Sequence, residues 1–128
     1  MHRDVASTPR PGGEVRYDTA ARTAAADDFG HLVHRTPRLV MLPRSADDVA
    51  ATIREAGSLG TQVAAQGCRH SVWGRSQVQD GVVIDMSSLA GIRSVEADQV
   101  IVDAGATWRD VLAATLPAGL TPPVVPEY

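Results

Sequence analysis

The sequence VAAQGCRHSVWGRSQVQDGVVI, residues 63–84, decides the fold and points to the functional site. Two short apolar runs, residues 63–65 and 82–84, flank a loop of small and polar residues that contains His70. This order predicts a strand, a glycine-containing loop and a second strand. Glycine lets backbone N–H groups approach an anion closely, and successive N–H groups form an anion-binding concavity. The stretch therefore predicts a cradle for a phosphate-bearing ligand.

The loop differs from the common dinucleotide-binding fingerprint. In that fingerprint a helix begins directly after the glycines, and its N-terminus holds the pyrophosphate. No helical pattern follows residues 66–77 here. We therefore expect the backbone of the loop itself to provide the contacts.

The segment before the loop predicts a βαβ unit. Residues 38–42 are apolar and form a short strand, and residues 62–65 form the next one. Between them, Ser45 and Asp48 resemble a capping box at the start of a helix over residues 45–59. A helical crossover makes its two strands parallel and the connection right-handed. We expect residues 38–42 and 62–65 to be parallel neighbours.

The remaining segments predict short elements around this unit. Residues 1–16 read as a flexible arm, and alanine-rich residues 18–29 favour a helix that Gly30 ends. Downstream, the pattern predicts a strand at 82–86, a hairpin of 92–96 with 100–104, a helix capped by Thr107 and Asp110, and an extended proline-rich tail at 121–126. The fold class is α+β: a small mixed sheet with a βαβ unit, a hairpin and flanking helices.

Composition restricts the function classes. The chain has 128 residues, a size that suits one domain, and its net charge of -3 gives no reason to expect nucleic acid as a partner. No apolar run approaches the ~20 residues of a membrane helix, so we expect no membrane partner. The single cysteine, Cys68, excludes an internal disulfide. The first residues lack the apolar core of a secretory signal, which predicts a cytoplasmic location.

Several motifs in order resemble the first half of a known cofactor domain. They are Asp28-Phe29-Gly30, Pro43-x-Ser45-x-x-Asp48-Val49, Gly67-x-x-His70-Ser71-x-x-Gly74, Asp80-Gly81-Val82-Val83-Ile84-Asp85-Met86, Gly105-Ala106-Thr107-Trp108 and Gly119-Leu120-Thr121-Pro122-Pro123. The family that they resemble is the FAD-binding domain of the vanillyl-alcohol oxidase / para-cresol methylhydroxylase (PCMH) superfamily. Within it the likeness is greatest to cytokinin-dehydrogenase-like FAD-linked oxidases. It covers residues 17–128, which would form the first half of that domain.

The resemblance implies that FAD is the cofactor and that this loop holds it. Loop N–H groups would bind the pyrophosphate, and His70 would bond covalently to the 8α-methyl group of the isoalloxazine, since neutral imidazole is a competent nucleophile. The alternative for His70 is a side chain that only hydrogen-bonds its own loop. The implied cofactor-binding residues are Gly67, Cys68, Arg69, His70, Ser71, Gly74, Arg75 and Ser76. Arg69 replaces a frequent glycine of the family, and Arg75 a frequent glutamine.

Two further groups of residues suggest chemistry. Glu127, followed by Tyr128, aligns with an Asp-Tyr pair whose carboxylate accepts a proton from the substrate amine in cytokinin-dehydrogenase-like enzymes. The resemblance therefore implies that Glu127 is the catalytic general base. His31 and His34 are three residues apart, but no third ligand accompanies them. We expect no metal site.

Two functions remain open. In the first, the chain is the FAD-binding module of an oxidoreductase that acts on an amine or alcohol-type small molecule. The resemblance places the second flavin segment and the substrate domain beyond Tyr128, so we expect this fragment to need a complementing C-terminal half. In the second, the chain is a non-enzymatic remnant or small binding domain that keeps the fold without turnover. The DNA downstream of Tyr128 discriminates between them.

Overall fold

Two sheets organise residues 12–124, the part of the chain that the computed structural model describes. In chain order the strands and helices are β1 (Glu14–Arg16), α1 (Thr19–Ala25), β2 (Leu39–Leu42), α2 (Ala46–Ser58), β3 (Val63–Gln66), β4 (Val82–Asp85), β5 (Ile92–Val95), β6 (Val100–Val102) and α3 (Trp108–Thr115). One sheet has the order β1-β2-β4-β3, and β5 pairs with β6 in the other. This α+β architecture is the one that the sequence predicted.

The order of the parallel strands corrects the sequence prediction. β2 and β3 run parallel as expected, but β4 lies between them, with Val82 opposite both Leu39 and Val63. The three apolar residues of β4, Val82, Val83 and Ile84, are all buried. A strand that is buried on both faces belongs in the middle of a parallel sheet. The predicted adjacency of residues 38–42 and 62–65 was therefore wrong, although their direction is confirmed.

Helix α2 begins at the predicted cap, but the Asp48 side chain does not complete the capping box. The Ser45 hydroxyl accepts a hydrogen bond from the Asp48 N–H at 3.2 Å, which caps the helix. The carboxylate of Asp48 does not return this bond. It accepts from the N–H groups of Arg44 and Gly12, each at 2.9 Å. Asp48 thereby connects the helix to the segment that leads into β1.

The N-terminal predictions need two corrections. Residues 14–16, assigned to a flexible arm, form β1 and pair antiparallel with β2, where Glu14 lies opposite Leu42. Residues 1–11 lie outside the described part of the chain. The predicted helix over residues 18–29 was too long, because α1 ends at Ala25 and the N–H of Ala26 closes a tighter turn onto the Thr23 carbonyl. Residues of the segment 26–36, which follows α1, line the cleft described below.

The hairpin and the third helix follow local signals. β5 and β6 are antiparallel, as predicted. Thr107 and Asp110 form a reciprocal capping box at the start of α3: the Asp110 N–H donates to the Thr107 hydroxyl at 3.2 Å, and the Thr107 N–H donates to the Asp110 carboxylate at 3.0 Å. Among the helices of residues 12–124, none is long and apolar enough to cross a membrane.

Candidate functional site

The site is built on a loop that leaves the central sheet at the end of β3. We call residues 67–76 the His70 loop. The loop begins directly after Gln66, at the carboxyl end of a strand that runs parallel to β4. Open α/β sheets bind ligands outside the carboxyl ends of their strands. Gly67, Cys68, Arg69 and His70 are all exposed at this edge.

A buried glutamine fastens the base of the His70 loop. Gln66 is 2% exposed, and its side-chain amide donates to the carbonyl oxygens of Ala25 at 2.6 Å and Ser76 at 3.0 Å. One side chain therefore links the end of α1 to both ends of the loop. Burial of a polar group is tolerated when its hydrogen bonds are made, as they are here.

The carboxylate of Asp28 fastens the middle of the loop. It is 4% exposed and accepts hydrogen bonds from the Gly74 N–H at 2.8 Å, the Ser71 hydroxyl at 2.9 Å and the Gly30 N–H at 3.2 Å. Burial alone would raise the pKa of Asp28. The hydrogen bonds outweigh that effect and lower its pKa below the usual aspartate value. The ionised carboxylate is thus the form that the loop stabilises.

Arg69 adopts a backbone conformation that favours glycine. Its φ is 57°, in the left-handed region. Its carbonyl accepts from the Phe29 N–H at 2.9 Å, and its guanidinium donates to the Ala24 carbonyl at 2.6 Å. These contacts hold an arginine where the family often has glycine. Left-handed residues within a turn make successive N–H groups converge, which is the geometry of an anion-binding concavity.

The exposed part of the His70 loop has unused hydrogen-bond donors. Within residues 12–124, the backbone N–H groups of residues 68–71 donate to no protein acceptor. Gly67 faces open space, because a Cβ atom built on it would meet no atom within 4 Å. Its φ is not in the left-handed region. Neither packing nor backbone conformation therefore requires glycine at this position.

At Gly74, in contrast to Gly67, both the backbone conformation and the packing require glycine. Its φ is +65°, and a Cβ atom there would lie 2.7 Å from Val33 Cγ1. The fold itself therefore requires this glycine. The two glycines of the sequence motif thus differ: the fold requires Gly74, whereas neither packing nor backbone conformation requires Gly67.

A cleft of about 720 Å³ lies beside the loop, between the end of α1, residues 26–36 and the exposed face of residues 68–70. His70 lines it next to Phe29, whose ring is 6.4 Å from the His70 ring, centroid to centroid, at an angle of 66°. Phe29 is 73% exposed, which is unusual for so large an apolar side chain. The cleft therefore offers an aromatic wall beside an accessible imidazole.

Asp27 and two histidines form the opposite part of the cleft. The Nδ1 atom of His31 donates to the Asp27 carboxylate at 2.8 Å, and Nδ1 of His34 lies 3.1 Å from the Ala26 carbonyl oxygen. The hydrogen bond from His31 lowers the pKa of Asp27 below its usual value. Within the described residues no group of three or more His, Cys, Asp or Glu side chains is placed to hold a metal ion.

The residues predicted from the sequence divide into two sets. Gly67, Cys68, Arg69 and His70 form the exposed part of the loop, whereas Ser71, Gly74 and Ser76 use the contacts described above to fix its shape. Arg75 is exposed. Glu127, the predicted general base, lies outside the described residues. Sequence reasoning missed Gln66 and the structural role of Asp28, because single polar residues that contact distant loops leave no periodic pattern.

Comparison with known proteins identifies the family. The sequence model described as "FAD binding domain" matches residues 37–128. The chain is 38% identical over 111 residues to an uncharacterized oxidoreductase, ORF5 in the fasciation locus of Rhodococcoides fascians, covering 87% of this chain and 25% of that protein. It is 40% identical over 126 residues to cytokinin dehydrogenase 10 of Oryza sativa subsp. japonica, covering 90% and 23%.

Solved structures show the same fold. The 6-hydroxy-D-nicotine oxidase of Arthrobacter nicotinovorans superposes with a TM-score of 0.80 at 24% identity, over 91% of this chain and 26% of that one. An alkyldihydroxyacetonephosphate synthase superposes with a TM-score of 0.73 at 17% identity, over 82% and 22%. The chain thus spans about a quarter of the length of the proteins it matches. It belongs to the FAD-binding domain family of the PCMH superfamily and is similar to the corresponding part of cytokinin dehydrogenases.

Proposed function

We propose that this chain supplies the pyrophosphate-binding wall of an FAD site and that the His70 loop is the contact surface. The observation that carries the proposal is the run of four backbone N–H groups, residues 68–71, that find no acceptor within residues 12–124, next to a glycine that faces open space. N–H groups in such a turn bind anions, and the phosphates of FAD are the anions that the family binds. The residues present therefore fit the cofactor.

His70 is the residue that we propose for covalent attachment. Its ring is exposed on the cleft, so neither packing nor burial blocks either ring nitrogen. Attachment would replace an N–H bond of the imidazole and a C–H bond of the 8α-methyl group by one N–C bond. Two protons and two electrons leave in that change, and dioxygen is the acceptor that the proposal names.

The wider activity is proposed from the family. When bound, FAD accepts two electrons from a substrate, and we propose an amine or alcohol-type small molecule as that substrate. The residues of this chain would bind the phosphates, hold the flavin edge at His70 and, through Glu127, accept a proton from the substrate. Because the chain spans about a quarter of its relatives' length, we propose that turnover needs segments matching the remainder, in the same polypeptide or in a complementing one.

An absorption spectrum before and after acid precipitation tests this proposal. The chain is produced together with its downstream-encoded sequence, as wild type, as His70→Ala and as His34→Ala. His34 is the matched control, because it lines the same cleft but lies outside the loop. We expect acid-stable flavin in wild type and His34→Ala and only extractable flavin in His70→Ala. Absence of flavin from all three would favour a remnant that keeps the fold without the cofactor.

The cytoplasmic location is also a proposal. Cell fractionation with an antibody against the chain tests it. Recovery of the protein in a secreted or membrane fraction would contradict it.

A further inference from the structure

We propose that Asp28 is the positioning residue of the cofactor site: its carboxylate holds the His70 loop in the shape that exposes the N–H groups of residues 68–71. The inference rests on the proposed function, since it explains how the phosphate-binding surface is kept ready. The sequence singled out Asp28 only as part of a family motif. The structure assigns it a physical task.

The Asp28 carboxylate accepts from three donors, two of which belong to the His70 loop. Asp28 lies 43 residues from Ser71 and 46 residues from Gly74 along the chain, and one oxygen, Oδ2, accepts from both the Ser71 hydroxyl and the Gly74 N–H. The other oxygen accepts from the Gly30 N–H. These bonds fix the loop directly after its exposed residues. The shape of residues 68–71 is therefore determined by a carboxylate on a different segment.

The Gly74 N–H depends on this carboxylate for its hydrogen bond. Gly74 is buried, and its left-handed backbone points the N–H toward Asp28. A buried N–H without an acceptor costs its full desolvation free energy. Removal of the carboxylate therefore favours a loop conformation in which this N–H reaches water, and residues 68–71 would move with it.

The burial of the Asp28 carboxylate favours a positioning role over a catalytic one. Asp28 is 4% exposed, and both of its oxygens are engaged by protein donors. Asp28 lies on the wall of the cleft, and its carboxylate oxygens are taken up by these loop contacts. The neighbouring backbone gives additional support, because the Phe29 N–H donates to the Arg69 carbonyl at 2.9 Å. The sheet and the first part of the loop therefore keep contacts that a substitution at position 28 leaves intact.

Asp27 is the matched control. It is also a carboxylate on the same cleft, but its contacts are with His31 and His34 rather than with the His70 loop. Asp27→Asn removes the same charge from the same cleft without removing a loop contact. Asp28→Asn keeps the size of the side chain but only one acceptor oxygen, so it retains part of the interaction. Asp28→Ala removes all of it.

Amide hydrogen exchange and NMR spectra of the 128-residue chain, without ligand, test the positioning role. We expect the Gly74 N–H to exchange about tenfold faster or more in Asp28→Ala, since a charge-assisted hydrogen bond is lost. Asp28→Asn should lie between Asp28→Ala and wild type, and Asp27→Asn should match wild type. Amides of β2 and β4 should be unchanged in all variants. Equal exchange at Gly74 in all four proteins would overturn the inference.

The pH profile gives a readout that a general loss of stability would not produce. Because the pKa of Asp28 is lowered, its contribution is complete above the ordinary aspartate value of about 3.9 and is lost only as the pH falls below it. The chemical shift of the wild-type Gly74 N–H should therefore change in one step as the Asp28 carboxylate is protonated. The other ionisable groups on the cleft are Asp27, His31, His34, Cys68, Arg69 and His70. The step should persist in Asp27→Asn and disappear in Asp28→Asn, and its persistence in Asp28→Asn would refute the role.

Titration with FAD then separates this inference from the proposed function. We expect FAD to shift the amide signals of residues 68–71 in wild type and Asp27→Asn. In Asp28→Ala the affinity should fall by about fivefold or more, because binding must then order the loop as well. If wild type binds no FAD while Gly74 exchange responds to Asp28, the proposed function fails and the structural role stands. If FAD binds all variants equally, the loop shape set by Asp28 is not the shape that binds the cofactor, and the inference fails.

Discussion

The paired substitutions Gly67→Ala and Gly74→Ala test whether one glycine serves the ligand and the other serves the fold. At Gly67 a Cβ atom meets nothing within 4 Å, and the backbone is not left-handed. We therefore expect the free energy of unfolding to change by less than about 0.5 kcal/mol, as for most surface substitutions. FAD affinity should nevertheless fall, because the new methyl group occupies the space through which a phosphate reaches the N–H groups.

At Gly74 two unfavourable contributions add. A left-handed conformation costs an L-residue about 1–2 kcal/mol, and overpacking typically costs about 1–3 kcal/mol. The second applies because the new Cβ atom would lie 2.7 Å from Val33 Cγ1 and 2.9 Å from Val33 Cβ. We expect Gly74→Ala to reduce the free energy of unfolding by about 2–5 kcal/mol, the sum of these two contributions.

Urea denaturation followed by far-UV circular dichroism measures the stability of both variants, and FAD titration of the folded proteins measures affinity. Two results would refute the reasoning. If Gly67→Ala loses as much stability as Gly74→Ala, the fold requires glycine at position 67. If Gly67→Ala binds FAD as well as wild type does, no ligand approaches the loop at that residue.

Three further predictions concern the cofactor and one helix. The isolated 128-residue chain should lose FAD on gel filtration, because one wall of the site must offset an association cost of at least about 4 kcal/mol; a stoichiometric yellow protein would show this to be wrong. His70→Ala should leave the urea midpoint within error of wild type. In the protein produced with its downstream sequence, it should abolish flavin fluorescence on a denaturing gel. Equal fluorescence of the wild-type and His70→Ala bands would place the attachment elsewhere. Thr107→Ala should lower the free energy of unfolding by about 0.5–2 kcal/mol, because the cap of α3 is lost. Thr121→Ala is the control at an exposed position. Equal urea midpoints for the two variants would contradict the capping role.

The elements that the sequence predicted well are those with local causes. Helix α2 and the β5–β6 hairpin follow from caps, periodicity and turn residues within a few positions of one another. The Thr107–Asp110 capping box spans one turn of helix and is present as predicted. Such signals are readable because both interacting residues occur in the same short window.

The features that the sequence did not reveal depend on distant contacts. The position of β4 between β2 and β3 is decided by burial on both faces, which a four-residue apolar run alone does not distinguish from burial on one face. Beyond the end of α1 at Ala25, Asp28 contacts a loop more than forty residues away, a contact that no local pattern indicates. The resemblance indicated the His70 loop as a site, but only the structure shows which of its residues face outward and which fix its shape.

The most direct test of the central claim is a titration of the ¹⁵N-labelled 128-residue chain with FAD, followed by the amide signals of each residue. This measurement detects weak binding as well as tight binding and shows where it occurs. The account predicts saturable shifts concentrated on residues 67–71 and on Phe29, with adenosine, which lacks phosphates, producing none at residues 68–71. Shifts confined to other surfaces, or no shifts at millimolar FAD, would contradict the assignment of the His70 loop as the cofactor-binding surface.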